Sequence, residues 1–130
     1  MKNKKLLFAI LIVIVSFLNS CYAPGSPSAV VKNAFAAAEK GDWDKFYEFS
    51  VTSIDDVLWD KDYSRIGNSL AQDIMQGFLY SHDSLKNIIS ETIDGDQATV
   101  TASFKKGNDY DLKLIKHEGK WKIHFQYNFK

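Results

Sequence analysis

The chain has a single cysteine, Cys21, so no disulfide can form within it and its folded part must be held by packing alone. It has no excess of either charge, 16 basic residues facing 16 acidic ones. That balance argues against the basic footprint of a nucleic-acid binder and against a lysine patch gripping anionic lipid. There is no glycine-rich phosphate loop and no Gly-x-Ser-x-Gly elbow, which removes two common signatures of nucleotide binding and serine hydrolysis. The three histidines, His82, His117 and His124, lack the spacing of a zinc-binding helix. No internal repeat or low-complexity tract is visible. The longest apolar run, residues 6–18, is interrupted only by Ser16 and covers 13 residues. A membrane-spanning helix needs about 20, so a permanent span is disfavoured.

What is present at the start reads as an export signal. Lys2, Lys4 and Lys5 precede the short apolar run, and small residues follow it. The segment Leu18-Asn19-Ser20-Cys21 resembles the lipobox of bacterial lipoproteins, with Leu18 at the apolar position and Ser20 at the small one. That resemblance implies a diacylglyceryl group on the Cys21 thiol, cleavage just before it and acylation of the new amino terminus. Each buried acyl CH₂ contributes about 0.8 kcal/mol, so two or three chains anchor stably where one does not. The expected organisation is a signal peptide over residues 1–20, a lipidated cysteine and short tether over 21–26, and one domain over 27–130. The expected location is the bacterial cell envelope, with the domain outside the cytoplasm and the membrane as its first partner. Removal of residues 1–20 takes away three lysines and leaves 110 residues with 13 basic against 16 acidic, a net charge of −3. The five residues after Cys21 reach at most about 17 Å when extended, which would hold the domain against the bilayer surface.

Ser26 and Pro27 form a helix start, cap then first position. Val31, Ala34, Phe35 and Ala38 recur at helical spacing until Gly41. Asp42 caps a second short helix in which Trp43, Phe46 and Tyr47 share a face. Residues 51–64 mix acids with Ile54, Val57, Leu58 and Trp59 and read as loosely helical. From 65 to 80 the helical pattern is firm, with Ile66, Leu70, Ile74 and Phe78 stepping by four and Ala71, Met75 and Leu79 widening the stripe. After Leu85 the period becomes two. Residues 85–94 end at the hairpin signal Asp94-Gly95, and Ala98, Val100, Ala102 and Phe104 alternate with polar residues. Tyr110, Leu112 and Leu114 form a third run, and Trp121, Ile123, Phe125, Tyr127 and Phe129 a fourth. The expected fold is α+β: N-terminal helices packed on a curled antiparallel sheet of about four strands, a cone-shaped roll.

Three stretches carry a resemblance. They are Glu39-Lys40-Gly41-Asp42-Trp43-Asp44-Lys45-Phe46-Tyr47, the hairpin from Glu91 to Val100 through Asp94-Gly95-Asp96, and the ending Leu114-Ile115-Lys116-His117-Glu118-Gly119-Lys120-Trp121-Lys122-Ile123. In this order they resemble the nuclear-transport-factor-2-like superfamily, in particular its bacterial lipoproteins. The resemblance implies a sheet wrapped around the first helix, often with a pocket at the open end. Isomerases, dehydratases, binding modules and scaffolds all use this fold, so it does not dictate an activity.

No acid–base pair of an isomerase maps onto these residues, because the inward strand positions are apolar or aromatic. His124 alternates with Ile123 and should face away from the core; His82 suits the C-terminal end of the long helix. Asp55, Asp56, Asp60 and Asp62 form an acidic group. Asp60, Asp62 and Ser64 match three positions of a calcium loop, but Arg65 and Ala71 stand where glycine and glutamate are needed. Aromatic residues in irregular segments plug a core or line a pocket. Trp59 and Tyr63, in the irregular stretch, and Tyr47, on the aromatic face of the second helix, are the candidate ligand-binding residues. The expectation is a non-enzymatic envelope lipoprotein with no cofactor, metal or catalytic residue. It would bind a small apolar ligand or an envelope protein, and no nucleic acid. The alternatives are a small isomerase- or dehydratase-like enzyme using an acid of residues 55–62, or a structural or inhibitory module.

Overall fold

The computed structural model describes residues 25–59 and 64–127, without the side chains of Trp59, Ser64 and Tyr127. Helix α1 spans Pro27–Glu39; the Ser26 hydroxyl accepts from the Ala29 amide at 3.2 Å, and Pro27 supplies the fixed φ of the first turn. Its buried face is Val30, Val31, Ala34, Phe35, Ala37 and Ala38. Gly41 ends it with φ +73°, a conformation that costs glycine nothing. Helix α2, Trp43–Tyr47, follows at once, with the Asp42 carboxylate accepting from the Lys45 amide. It drives Phe46 into the core, fully buried against Trp43, Tyr47 and Phe125.

The next segment departs from the sequence expectation. Instead of a loose helix, residues 50–59 form a hairpin of β1, Ser50–Ile54, and β2, Val57–Trp59, turned by Asp55 and Asp56. Both aspartates have positive φ, 48° and 65°, as a two-residue hairpin turn demands and short polar side chains tolerate. The spacing of Ile54, Val57 and Leu58 suits a helix turn, but it equally pairs Ile54 with Val57 and Ser53 with Leu58 across the hairpin. What decides for strands is remote. β1 lies parallel to the last strand, a partner more than 70 residues away that no local window contains.

Helix α3, Ser64–His82, is followed by β3, Leu85–Asp94, β4, Gln97–Phe104, β5, Tyr110–His117, and β6, Lys120–Tyr127. Among the described residues the sheet therefore has six strands rather than about four, in the order β2-β1-β6-β5-β4-β3, antiparallel except for β1 against β6. Phe129 lies outside the described residues. The α3 stripe is rotated relative to the simple four-step reading. Ala71 and Met75 are the buried positions, whereas Ile66 is half exposed. Thr52 on β1 holds this face, donating its hydroxyl to the Gly67 carbonyl at 3.0 Å.

Strand β3 bends the sheet around α1. Register shifts between Leu85 and Asn87 and between Ile88 and Ser90 insert extra residues, so Leu85, Ile88 and Glu91 face inward at a spacing of three instead of two. Glu91 uses that position to reach the first turn of α1. Its Oε1 accepts from both the amide and the hydroxyl of fully buried Ser28, each at 2.8 Å, placing a carboxylate at the positive end of the helix. Replacing Glu91 by alanine leaves two buried donors without this partner. It should lower unfolding free energy by about 1–3 kcal/mol in urea titrations, while Glu91→Gln should cost less. An unchanged midpoint for Glu91→Ala would show that the contact contributes nothing.

Candidate functional site

The sheet divides between β5 and β6. Their pairing runs from the turn, His117 with Lys120, as far as Leu114 with Ile123, and stops there. Beyond that point β5 stays with β4, through Leu112 with Val100 and Tyr110 with Ala102. β6 instead follows β1, through Phe125 with Thr52 and Tyr127 with Ile54. Each strand keeps its outer neighbour, and a wedge opens between them.

A cavity of about 220 Å³ fills the wedge on the helix side. Its floor is apolar: Phe35 of α1, Ile74, Met75 and Phe78 of α3, and Leu112, Ile123 and Phe125 of the sheet. One wall is an aromatic group. Phe78 meets Phe35 edge-on at 5.9 Å and Tyr110 at 5.0 Å, and His82 stacks flat on Phe78 at 4.0 Å. His82 Nδ1 lies 3.2 Å from the Phe78 carbonyl in the last turn of α3, so this histidine does sit at the helix end and braces the wall as well. A second cavity of about 300 Å³ lies on the outer face, lined by Gln97, Thr99 and Ile115 among others. The two cavities share Lys113, His124 and Gln126, which form the lip between them.

The lip is polar and internally tied. Lys113 Nζ donates to Thr99 Oγ1 at 3.0 Å, and Thr101 Oγ1 donates to Asp111 Oδ1 at 2.6 Å. His124 Nε2 lies 2.7 Å from the hydroxyl of Ser53. As its alternation implied, His124 is on the face opposite Ile123, yet it is half-buried, because the parallel strand β1 brings Ser53 alongside it. Burial lowers its pKa below the ordinary 6.5, so the ring is neutral at pH 7. The unfolded chain then binds the proton more readily than the folded one, so stability is complete above about pH 6.5 and is lost as pH falls towards the lower folded value. Urea midpoints should drop between pH 7.5 and pH 5.5, and His124→Gln should flatten that drop. An identical pH dependence in the variant would remove His124 as its source.

Of the residues singled out by sequence, Tyr47 is half-buried on α2 and donates its hydroxyl to Gln72 Oε1 on α3. Burial first, then Asp44 and Asp73, raises its pKa. It does not line either cavity. Trp59 contributes its backbone to β2, opposite Thr52; its side chain, Tyr63 and Cys21 lie outside the described residues. Asp55 and Asp56 are exposed at the β1–β2 turn and line neither cavity, and Asp60 and Asp62 lie outside the described residues. Among the described residues no three His, Cys, Asp or Glu side chains come together as a metal site, and no helix is long and apolar enough to cross a membrane. Sequence reasoning missed Ile74, Met75 and Phe78 as cavity floor and Lys113, His124 and Gln126 as lip. No local signal marks them, since the wedge arises from pairings between distant strands.

No protein-family model matches the chain, and no curated protein matches it. Solved structures do resemble it at low identity. An NTF-2 like protein of unknown function from Shewanella oneidensis MR-1 is 13% identical, covering 77% of this chain and 93% of its own, with a TM-score of 0.43. An NTF2-like protein from Campylobacter jejuni is 19% identical, covering 77% and 98%, with a TM-score of 0.45. A de novo designed protein with a curved β-sheet is 13% identical, covering 78% and 97%, at 0.42. Likenesses at this level carry no activity over to this chain.

Proposed function

We propose that the chain is a non-enzymatic binding module of the bacterial cell envelope, of nuclear-transport-factor-2-like type. In this reading it is tethered by lipid on Cys21 and holds a small apolar group in the cleft between β5 and β6. The observation that carries the binding reading is the divided sheet, whose cavity has an apolar, aromatic floor and a polar lip. Pockets of that composition bury the apolar part of a ligand and orient it through a few polar groups at the mouth. Asp55 and Asp56, the described acids of the 55–62 stretch, are exposed at the β1–β2 turn and do not line the cleft.

Native mass spectrometry of the lipidated protein, gently extracted from its own envelope, tests this. The expected spectrum shows a reproducible added mass, which Ile74→Trp removes by filling the cleft from a half-buried position. A bare protein mass from the wild type, or an adduct indifferent to Ile74→Trp, would count against the cleft as the binding site.

A further inference from the structure

The main chain along the cleft identifies the class of ligand. In a strand, the N–H and C=O of one residue point to the same side, and those of the next residue to the other. The Ile123 amide donates to the Phe49 carbonyl at 2.8 Å, so the odd positions of β6 are turned towards β1. His124 and Gln126 therefore turn their N–H and C=O towards β5. On β5 the Lys116 amide donates to the Asp96 carbonyl at 2.8 Å, so its even positions are turned towards β4. Asp111 and Lys113 then turn theirs towards β6. Leu114 and Ile123 are turned outward, so their pairing is closed by the His124 amide on the Lys113 carbonyl and stops there. Beyond it the Lys113 amide, the His124 carbonyl and both main-chain groups of Asp111 and Gln126 face the cleft, donors and acceptors in equal number.

From this we infer that the cleft takes an extended peptide segment of another polypeptide, which adds its main chain to the open edges and sinks one large apolar side chain into the floor. The inference rests on the cleft being the binding site and names its occupant. A carboxylate or phosphate would use the N–H groups and leave the carbonyls facing a negative charge, and a hydrocarbon would match neither. A peptide main chain supplies both groups, repeated at about 6.6–7 Å, the same period as the edges. The lip carries one acid, Asp111, and one base, Lys113, which suits a neutral amide chain better than an ion. The cavity of about 220 Å³ is smaller than the roughly 300–1,000 Å³ of pockets for whole drug-sized ligands, so it fits a single side chain. A strand in the plane of the sheet sends alternate side chains to opposite faces. Its central residue would enter the apolar floor, and its neighbours would enter the outer cavity beside Gln97, Thr99 and Lys113. The matching sequence is polar–apolar–polar.

The test measures fluorescence anisotropy of a capped, dye-labelled pentapeptide, Thr-Ser-Phe-Ser-Thr, against the full-length protein in lipid nanodiscs. Saturation-transfer NMR of indole on the same samples reports the cleft itself. The expected result is peptide binding that weakens at least tenfold when the central residue is alanine. Gln126→Pro removes one cleft-facing N–H while leaving the β1 ladder intact, and should weaken binding about three- to tenfold beyond Gln126→Ala, which removes the same side chain and keeps the N–H. Equal affinities for the two Gln126 variants would overturn the main-chain role. Indole binding that Ile74→Trp blocks, without peptide binding, would overturn the peptide and leave the cleft standing. Binding of neither probe would overturn both.

Discussion

Phe35→Ala should remove about 3–5 kcal/mol of unfolding free energy and lower the melting temperature by roughly 12 °C or more. Phe35 is 1% exposed and stands where α1, α3 and the sheet meet, with ring contacts to Phe104 at 5.3 Å and Phe78 at 5.9 Å. Three physical effects combine there: loss of buried apolar area, loss of two aromatic contacts and a void that the rigid sheet cannot close. The domain has no disulfide in reserve, and single domains are stable by only about 5–15 kcal/mol, so a substantial fraction of the total is removed. Phe35→Leu keeps most of the volume and should cost well under half as much. Circular-dichroism melts of both variants check this. A shift of only a few degrees for Phe35→Ala would mean that the neighbouring rings collapse into the space, and that α1 is not the post around which the sheet is wrapped.

The second large effect concerns Cys21. When the gene is expressed in a bacterial host fed radiolabelled palmitate, the wild-type chain should incorporate label and appear shortened by residues 1–20. Cys21→Ser should do neither, because a hydroxyl does not replace the thiolate as the lipid acceptor. The difference is all or none. Two or three acyl chains at about 0.8 kcal/mol per buried CH₂ outweigh any contact the near-neutral domain could make with lipid headgroups. Label retained by Cys21→Ser, or absent from the wild type, would refute the lipid anchor and leave the cleft proposals untouched. The two ideas rest on separate parts of the chain.

Much of the fold was legible because its cues are local. Ser26-Pro27 and Gly41 bracket α1 through capping chemistry and glycine's left-handed freedom, and both act within four residues. Ala98, Val100, Ala102 and Phe104 alternate cleanly, and all four are buried in β4. Residues 51–64 misled because apolar spacing there fits two structures, and the choice between them is made by β6 rather than by the segment itself. β3 misled more mildly: its bulges change the inward spacing from two to three, which a strict period-two reading cannot register.

By itself the sequence determined the elements whose stability comes from nearby residues: α1, α2 and α3, the strands β3 to β6, and the α+β class they compose. It also carries, in residues 2–21, the whole of the case for lipidation. Only the tertiary structure decided that β1 joins the sheet parallel to β6, that Glu91 meets the amino end of α1, and that β5 and β6 part after Leu114 and Ile123. Those features depend on contacts between residues tens of positions apart. Their free energy is set by packing and by competition between neighbouring strands, quantities that no short window of sequence contains.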